Sequence, residues 1–146
     1  MAISLQHAGE FTVALANQLL ADVLGDAITA VQVTPLGEGV GLMSSIGRAA
    51  LTLASGKNTS VVVKVIAQTE NVAISKQLNF YANEIDFYRY LSPICPIRSP
   101  KCYFADIDPE TQDFLLILED LGTAAAGDQL KGCDEALMLQ GFEKAA

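Results

Sequence analysis

The sequence predicts an α+β domain built on a five-stranded antiparallel sheet, with an N-terminal helix and one large packing helix. Three observations predict this fold class. Five short apolar or β-branched segments are separated by turn-forming residues. Two longer segments carry apolar residues at helical spacing. The chain of 146 residues, 51% of them hydrophobic, is long enough to bury one sizeable core.

The two longer segments show the spacing of three and four residues that is typical of amphipathic helices. The first covers residues 10–24, stops at Gly25 and is expected to cap the domain. The second covers residues 72–91, has a broad apolar face and ends before Pro93. Glu84 lies within that apolar face, where a carboxylate needs a partner.

The five short segments have the composition of β-strands. A glycine-rich turn separates the first two, a polar loop at 55–59 precedes the third, and an Asp- and Pro-rich turn at 106–113 separates the last two. Leu137, Met138 and Phe142 lie on one side of a further helix near the end of the chain. The predicted strands are 28–34, 41–54, 60–66, 101–105 and 114–118.

The glycine-rich turn and Lys64 suggest a phosphate site. Gly37, Gly39 and Gly41 lack a Cβ, so that backbone N–H groups of the turn can approach a phosphate. Lys64 interrupts an apolar strand and could reach the same phosphates as a point charge. A buried charge is costly unless it is paired, so Lys64 needs an anionic partner, either a bound phosphate or Glu84.

Each of these features also has a simpler interpretation. Three glycines alone more often form a plain hairpin turn, a single lysine more often lies at a sheet edge, and Glu84 alone is more often exposed. Their order along the chain favours the functional interpretation. Asp106 and Asp108 resemble a pair of metal ligands, but their position beside Pro109 predicts a solvated turn.

Composition disfavours several classes of function. The 17 acidic residues exceed the 9 basic ones and give a net charge of −8, which disfavours nucleic acid and anionic membranes as partners. No apolar run approaches the ~18 residues of a membrane span. The three cysteines fit neither a zinc site nor a disulfide framework. We therefore expect reduced thiols and a cytoplasmic protein. His7, the only histidine, is given no catalytic role.

Taken in order, these features resemble the N-terminal lobe of the aminoglycoside-phosphotransferase and choline-kinase-like superfamily, and most closely its ecdysteroid-kinase-like branch. The likeness covers residues 10–146. It implies a protein-kinase-like nucleotide-binding lobe at 1–122, followed by an interlobe linker and the start of a C-lobe helix at 123–146. The segments that carry the resemblance are 35–44 with Arg48, Val61 to Lys64, Asn83 to Tyr88, and Leu116 to Leu121.

The resemblance implies that ATP is bound by this lobe. The loop over the phosphates would comprise Gly37, Gly39, Gly41, Ser44 and Ser45. It also implies positions for four other residues, two at the phosphates and two at the base. Lys64 would contact the α- and β-phosphates and Glu84 would hold Lys64, while the carbonyl of Glu119 and the N–H of Leu121 would face adenine.

The resemblance also implies what this chain does not supply. In that superfamily the catalytic aspartate and the magnesium ligands lie in a C-terminal lobe, so we expect no catalytic and no metal-binding residue here. The reaction implied is phosphate transfer from ATP, with Mg²⁺, to a hydroxyl of a small molecule. The chain alone is expected to bind nucleotide weakly or not at all. Two alternatives remain: a non-catalytic binding domain with the lobe shape, and an interaction domain in which Lys64–Glu84 is only a buried ion pair.

Overall fold

The computed structural model of the protein describes residues 3–37, 43–122, 124 and 130–145. The described residues form a five-stranded antiparallel sheet with the strand order β1-β2-β3-β5-β4. All five predicted strands are confirmed, with ends that differ by at most three residues. The strands are β1 (Ile28–Pro35), β2 (Ser44–Leu53), β3 (Asn58–Ile66), β4 (Cys102–Ile107) and β5 (Phe114–Glu119).

The N-terminal helix α1 (Val13–Leu24) is confirmed and has defined ends. The side chain of Thr12 caps it by accepting a hydrogen bond from the Leu15 N–H at 3.3 Å. Gly25 ends it in the left-handed conformation with φ 70°, which glycine adopts without steric cost. A short 3₁₀ turn, Ala8–Glu10, precedes the helix and packs on the sheet.

The large packing helix predicted at 72–91 is divided rather than continuous. It comprises α2 (Val72–Gln77), α3 (Phe80–Asp86) and a π-helical turn (Phe87–Leu91). The break lies at Asn79, which has φ 55° and ψ 29°. Asparagine enters this left-handed region more readily than most residues, and one such residue is enough to turn the helix axis.

The two faces of the sheet carry separate cores because neighbouring strand residues point to opposite faces. Val61, Val63 and Val65 of β3 pack toward α1 and β1. Val62 and Ile66 belong to the second core, with α3 on the other face. The side chain of Lys64 shares this second face, since it lies between Val62 and Ile66 on the same strand.

The helix predicted near the end of the chain is present as α4 (Glu135–Ala145). Its described side chains are exposed, including Leu137 at 58% and Phe142 at 66%. No helix in the described parts of the chain combines the length and the apolar character needed to cross a bilayer. The three cysteines, Cys95, Cys102 and Cys133, are free thiols.

Candidate functional site

The centre of the candidate site is an ion pair between β3 and α3. The ammonium Nζ of Lys64 lies 2.6 Å from Oε1 and 2.7 Å from Oε2 of Glu84. Both side chains are largely covered, with exposed fractions of 20% and 31%. The predicted contact between these two residues is therefore present. An ammonium group has three N–H donors, so Lys64 retains a donor for an additional anion.

Glu84 is held in place by the packing of α3 on the sheet. Tyr81 and Ile85 of the same helix are 2% and 0% exposed and belong to the second core. The ring of Tyr81 stacks on Phe114 of β5, with 5.0 Å between ring centroids. Because residues three apart share a helix face, anchoring Tyr81 also sets the direction of Glu84.

The predicted phosphate loop is described only at its two ends. Gly37 adopts a left-handed conformation with φ 70°, as a turn residue there requires. Gly39 and Gly41 lie outside the described residues. Gly37, Ser44 and Ser45 line a common cavity of about 400 Å³ between β1 and β2.

The two serines of the predicted loop lie on opposite faces of the sheet. Ser44 pairs with Ile66 and therefore shares the face of Lys64. Ser45 pairs with Val65 and points to the α1 face, where its Oγ accepts a hydrogen bond of 3.1 Å from the Ala8 N–H. The structure thus brings Ser44, but not the side chain of Ser45, to the face that carries Lys64.

The other end of the candidate site is the linker that follows β5. Glu119 is the last residue of β5, and its N–H donates to the Lys101 carbonyl at 2.8 Å. Its carboxylate accepts hydrogen bonds from Arg98 at 2.9 Å and from the Lys101 N–H at 3.1 Å. Leu121, two residues later, is 41% exposed. The structure therefore places Glu119 at the end of β5 and Leu121 just beyond it.

Sequence reasoning missed an ion pair between Arg48 of β2 and Asp120. Arg48 donates from Nε to Oδ2 at 2.7 Å and from Nη2 to Oδ1 at 3.1 Å, which is bidentate geometry. Ser60 of β3 also donates to Oδ2, at 2.7 Å. Arg48 and Asp120 both belong to segments that carry the family resemblance. That shared membership was the sequence clue that could have pointed to the pair. The Asp120 side chain is only 6% exposed.

The pKa of Asp120 reflects two opposed effects. Burial favours the neutral acid and raises the pKa, but hydrogen bonds from Ser60 and Arg48 to the ionised carboxylate outweigh it. The pKa therefore lies below its ordinary value, and Asp120 is ionised at neutral pH. The Arg48 guanidinium thus faces a full negative charge.

An apolar strip of the sheet separates the two ion pairs. Lys64 lies opposite Ile46, and Arg48 lies opposite Val62. Leu118 of β5 is in turn the partner of Val62 and is 8% exposed. The resulting surface has a cation at one end, a fixed linker at the other and apolar side chains between them. Such a surface can accept a molecule that has both an anionic end and a flat apolar ring.

The described residues do not provide a metal site. Within them, no group of three His, Cys, Asp or Glu side chains is arranged to hold a metal ion. Asp106 binds Arg89 at 2.7 Å, whereas Oδ1 of Asp108 accepts the N–H groups of Glu110 and Thr111 at 2.8 and 2.9 Å. Asp106 lies in β4, not in the predicted turn, and ties that strand to the π-helical turn, whereas Asp108 stabilises the β4–β5 turn.

Comparison with protein-family models matches residues 38–144 to the Ecdysteroid kinase-like family. The match includes Lys64, Glu84 and the linker after β5. No curated protein and no solved structure gives a significant match. Because the match covers well over half of its residues, the chain belongs to the ecdysteroid kinase-like family, within the superfamily of kinase-like and aminoglycoside-phosphotransferase proteins.

Proposed function

We propose that this chain is the ATP-binding lobe of a phosphotransferase that acts on a hydroxyl group of a small molecule. One observation carries the proposal: the Lys64–Glu84 ion pair lies on the same sheet face as Ser44, where the glycine-rich turn enters β2. Family membership supports the same interpretation. In a phosphoryl-transfer enzyme a lobe of this kind contributes positioning and charge neutralisation.

Lys64 would supply the positive charge at the phosphates. Glu84 engages the ammonium with both carboxylate oxygens, at 2.6 and 2.7 Å, and thereby fixes its position before a nucleotide binds. A preorganised charge stabilises a developing negative charge better than a mobile one, because no reorganisation is needed during the reaction. Lys64 would then direct its remaining N–H toward the α- and β-phosphates.

The base would occupy the apolar strip and meet the linker. Val62 and Leu118 would contact the ring, and the Glu119 carbonyl and Leu121 N–H would face its polar edge. Magnesium accompanies ATP in such reactions, but the described residues contain no cluster suited to the ion. Its ligands, the catalytic aspartate and the acceptor pocket would come from a second lobe, as the resemblance to two-lobed kinases implies.

Titration of the ¹⁵N-labelled chain with Mg-ATP, followed by amide chemical shifts, tests the proposal. We expect weak, saturable shifts at millimolar nucleotide, centred on residues near Ser44, Lys64 and the linker. Lys64→Met should abolish them while the remaining spectrum stays that of a folded protein. Lys76→Met is the matched control, because Lys76 also lies near a carboxylate, that of Asp113 at 3.7 Å, and donates to the Thr111 carbonyl in the β4–β5 turn rather than to Glu84.

Two outcomes would count against the proposal. One is the absence of saturable shifts both in this chain and in a longer chain that carries the second lobe. The other is equal binding by the Lys64→Met and Lys76→Met variants. If Lys64→Met instead unfolds the protein, Lys64→Arg keeps the charge and separates the two roles. A folded Lys64→Arg chain with weakened nucleotide shifts would support the phosphate contact, because a planar guanidinium and a compact ammonium present their N–H donors in different geometries.

A further inference from the structure

We infer that Arg48, Ser60 and Asp120 form a positioning site that orients the linker after β5 toward the base of the bound nucleotide. We call these three residues the linker clamp. The inference rests on the proposed function and deepens it, because it assigns recognition of the base to side chains that do not touch the base. It concerns the end of the site opposite Lys64.

The linker clamp saturates the carboxylate of Asp120. Oδ2 accepts from Arg48 Nε at 2.7 Å and from the Ser60 hydroxyl at 2.7 Å. Oδ1 accepts from Arg48 Nη2 at 3.1 Å and from the Gly122 N–H at 3.0 Å. The four donors come from β2, β3 and the linker itself, so Asp120 is tied to the sheet in a single orientation.

These bonds also set the backbone at Leu121. Gly122 has φ 59°, and its N–H returns to the Asp120 carboxylate, which closes a tight turn around Leu121. On the preceding side, Glu119 is bound to Arg98 and to the Lys101 N–H. The two peptide groups predicted to meet adenine therefore flank Asp120, whose carboxylate is held by four hydrogen bonds.

The linker clamp lies at the correct end of the sheet for this role. Ser60 and Lys64 are four residues apart on β3 and share one face, which corresponds to about 13 Å at the rise of an extended strand. Val62 lies between them on that face and is paired with both Arg48 and Leu118. A nucleotide with its phosphates at Lys64 would extend along Val62 toward the clamp.

The chemistry of the linker clamp is better suited to orienting the linker than to merely holding it against the sheet. Removing two opposite charges from water is costly, and apolar side chains often hold two elements together equally well. What a guanidinium–carboxylate fork adds is direction, because two parallel hydrogen bonds define the relative orientation of both groups. Fixed direction matters for backbone groups that must align with the edge of a base, since small misplacement costs much of the binding.

Two probes distinguish the base end from the phosphate end: Mg-ATP and magnesium tripolyphosphate, each titrated into the labelled chain. We expect Asp120→Asn and Arg48→Lys to weaken ATP binding about tenfold, equivalent to ~1.4 kcal/mol, and to leave tripolyphosphate binding unchanged. Ser60→Ala should have a smaller effect of the same kind. Arg89→Lys is the matched control, because Arg89 forms a similar 2.7 Å pair with Asp106 on β4.

The possible failures are distinguishable. If neither this chain nor a longer chain that carries the second lobe binds either probe, the proposed function is overturned and this inference falls with it. If the wild type binds ATP but the clamp variants bind it equally well, or lose ATP and tripolyphosphate in equal measure, the clamp does not position the linker and the proposed function stands. Ser60→Ala keeps the ion pair between Arg48 and Asp120. If Asp120→Asn does not fold, the binding of ATP and tripolyphosphate by Ser60→Ala still tests the inference.

Discussion

The hydroxyl of Tyr81 donates a hydrogen bond of 2.7 Å to the backbone carbonyl of Met43, where the glycine-rich turn meets β2. Tyr81 is 2% exposed and lies one helical turn before Glu84 on α3. The same short helix therefore holds both the carboxylate that positions Lys64 and one end of the turn. A displacement of α3 would move both together.

This relationship predicts the effect of Tyr81→Phe. The Met43 carbonyl keeps a second donor, the Ala67 N–H at 3.3 Å, so we expect a loss of only about 1 kcal/mol in the free energy of unfolding. Amide exchange at the start of β2 should become faster, because the turn end loses its anchor. Urea unfolding and hydrogen exchange measure the two effects. Tyr90→Phe is the control, since Tyr90 is 67% exposed, and equal stability of both variants would contradict the prediction.

A double-mutant cycle with Lys64→Met and Glu84→Gln should give a coupling free energy of about 1–3 kcal/mol, because the pair is too well covered to be fully screened by water. The exposed fractions of 20% and 31% place it between surface and interior pairs. The Arg98–Glu119 pair is the comparison, because Arg98 is 73% exposed. Its cycle should give less than about 1 kcal/mol. Equal coupling free energies for the two pairs in urea unfolding would contradict the prediction that coverage from water strengthens the Lys64–Glu84 pair.

Gly47→Ala should destabilise the fold by about 1–3 kcal/mol, because the added methyl overpacks the first core. Its Cβ would lie 2.6 Å from Cγ1 of Val33 and 3.1 Å from Cβ of Ala8. Valine is β-branched and cannot move its methyl aside by a simple rotation. Gly141→Ala is the matched control, since a Cβ there meets no atom within 4 Å, and it should leave the melting temperature unchanged or slightly raised. An unchanged melting temperature for Gly47→Ala would contradict the packing described here.

The lowered pKa of Asp120 predicts how stability depends on pH. A carboxylate whose pKa is lower in the folded than in the unfolded state stabilises the fold above its ordinary pKa of about 3.8. That contribution is lost as the pH falls through the lower, folded pKa. Asp120→Asn should therefore be less stable than the wild type by about 1–3 kcal/mol at neutral pH, with a smaller difference in strong acid.

Urea unfolding at about pH 7 and in strong acid measures this difference with Asp120 ionised and with its protonation favoured. Asp86→Asn is the control, because Asp86 is exposed on α3. A stability difference for Asp120→Asn that stays constant between the two pH values would show that the charge of Asp120 is not what stabilises the linker.

Sequence reasoning predicted those elements whose pattern repeats locally. Strand alternation and helical spacing located all five strands and α1, and the placement of single charges in apolar segments identified Lys64 and Glu84 as partners. That inference succeeded because a buried charge without a partner is costly. Two opposite charges buried on adjoining elements are therefore expected to pair with each other. Spacing could not reveal the break at Asn79, since the apolar pattern continues across one left-handed residue.

The remaining features depended on which strand edges and faces meet. Ser45 was predicted with Ser44 at the phosphates, yet strand alternation in the observed register turns its side chain to Ala8. Arg48 and Asp120 are 72 residues apart, and each is unremarkable in its own segment. Only the β2-β3-β5 order brings them into contact. Gly47 lies within the predicted strand 41–54, but only the pairing of β1 with β2 places it against Val33.

Local composition is enough to specify where a strand or helix forms, because the free energy of each element depends on residues a few positions apart. It is also enough to name a cation and an anion that cannot be buried alone. It is not enough to join side chains from distant segments, because such contacts arise from the pairing order and register of the whole sheet. The Lys64–Glu84 pair could therefore be predicted from local composition. The linker clamp could be found only from the pairing order and register of the sheet.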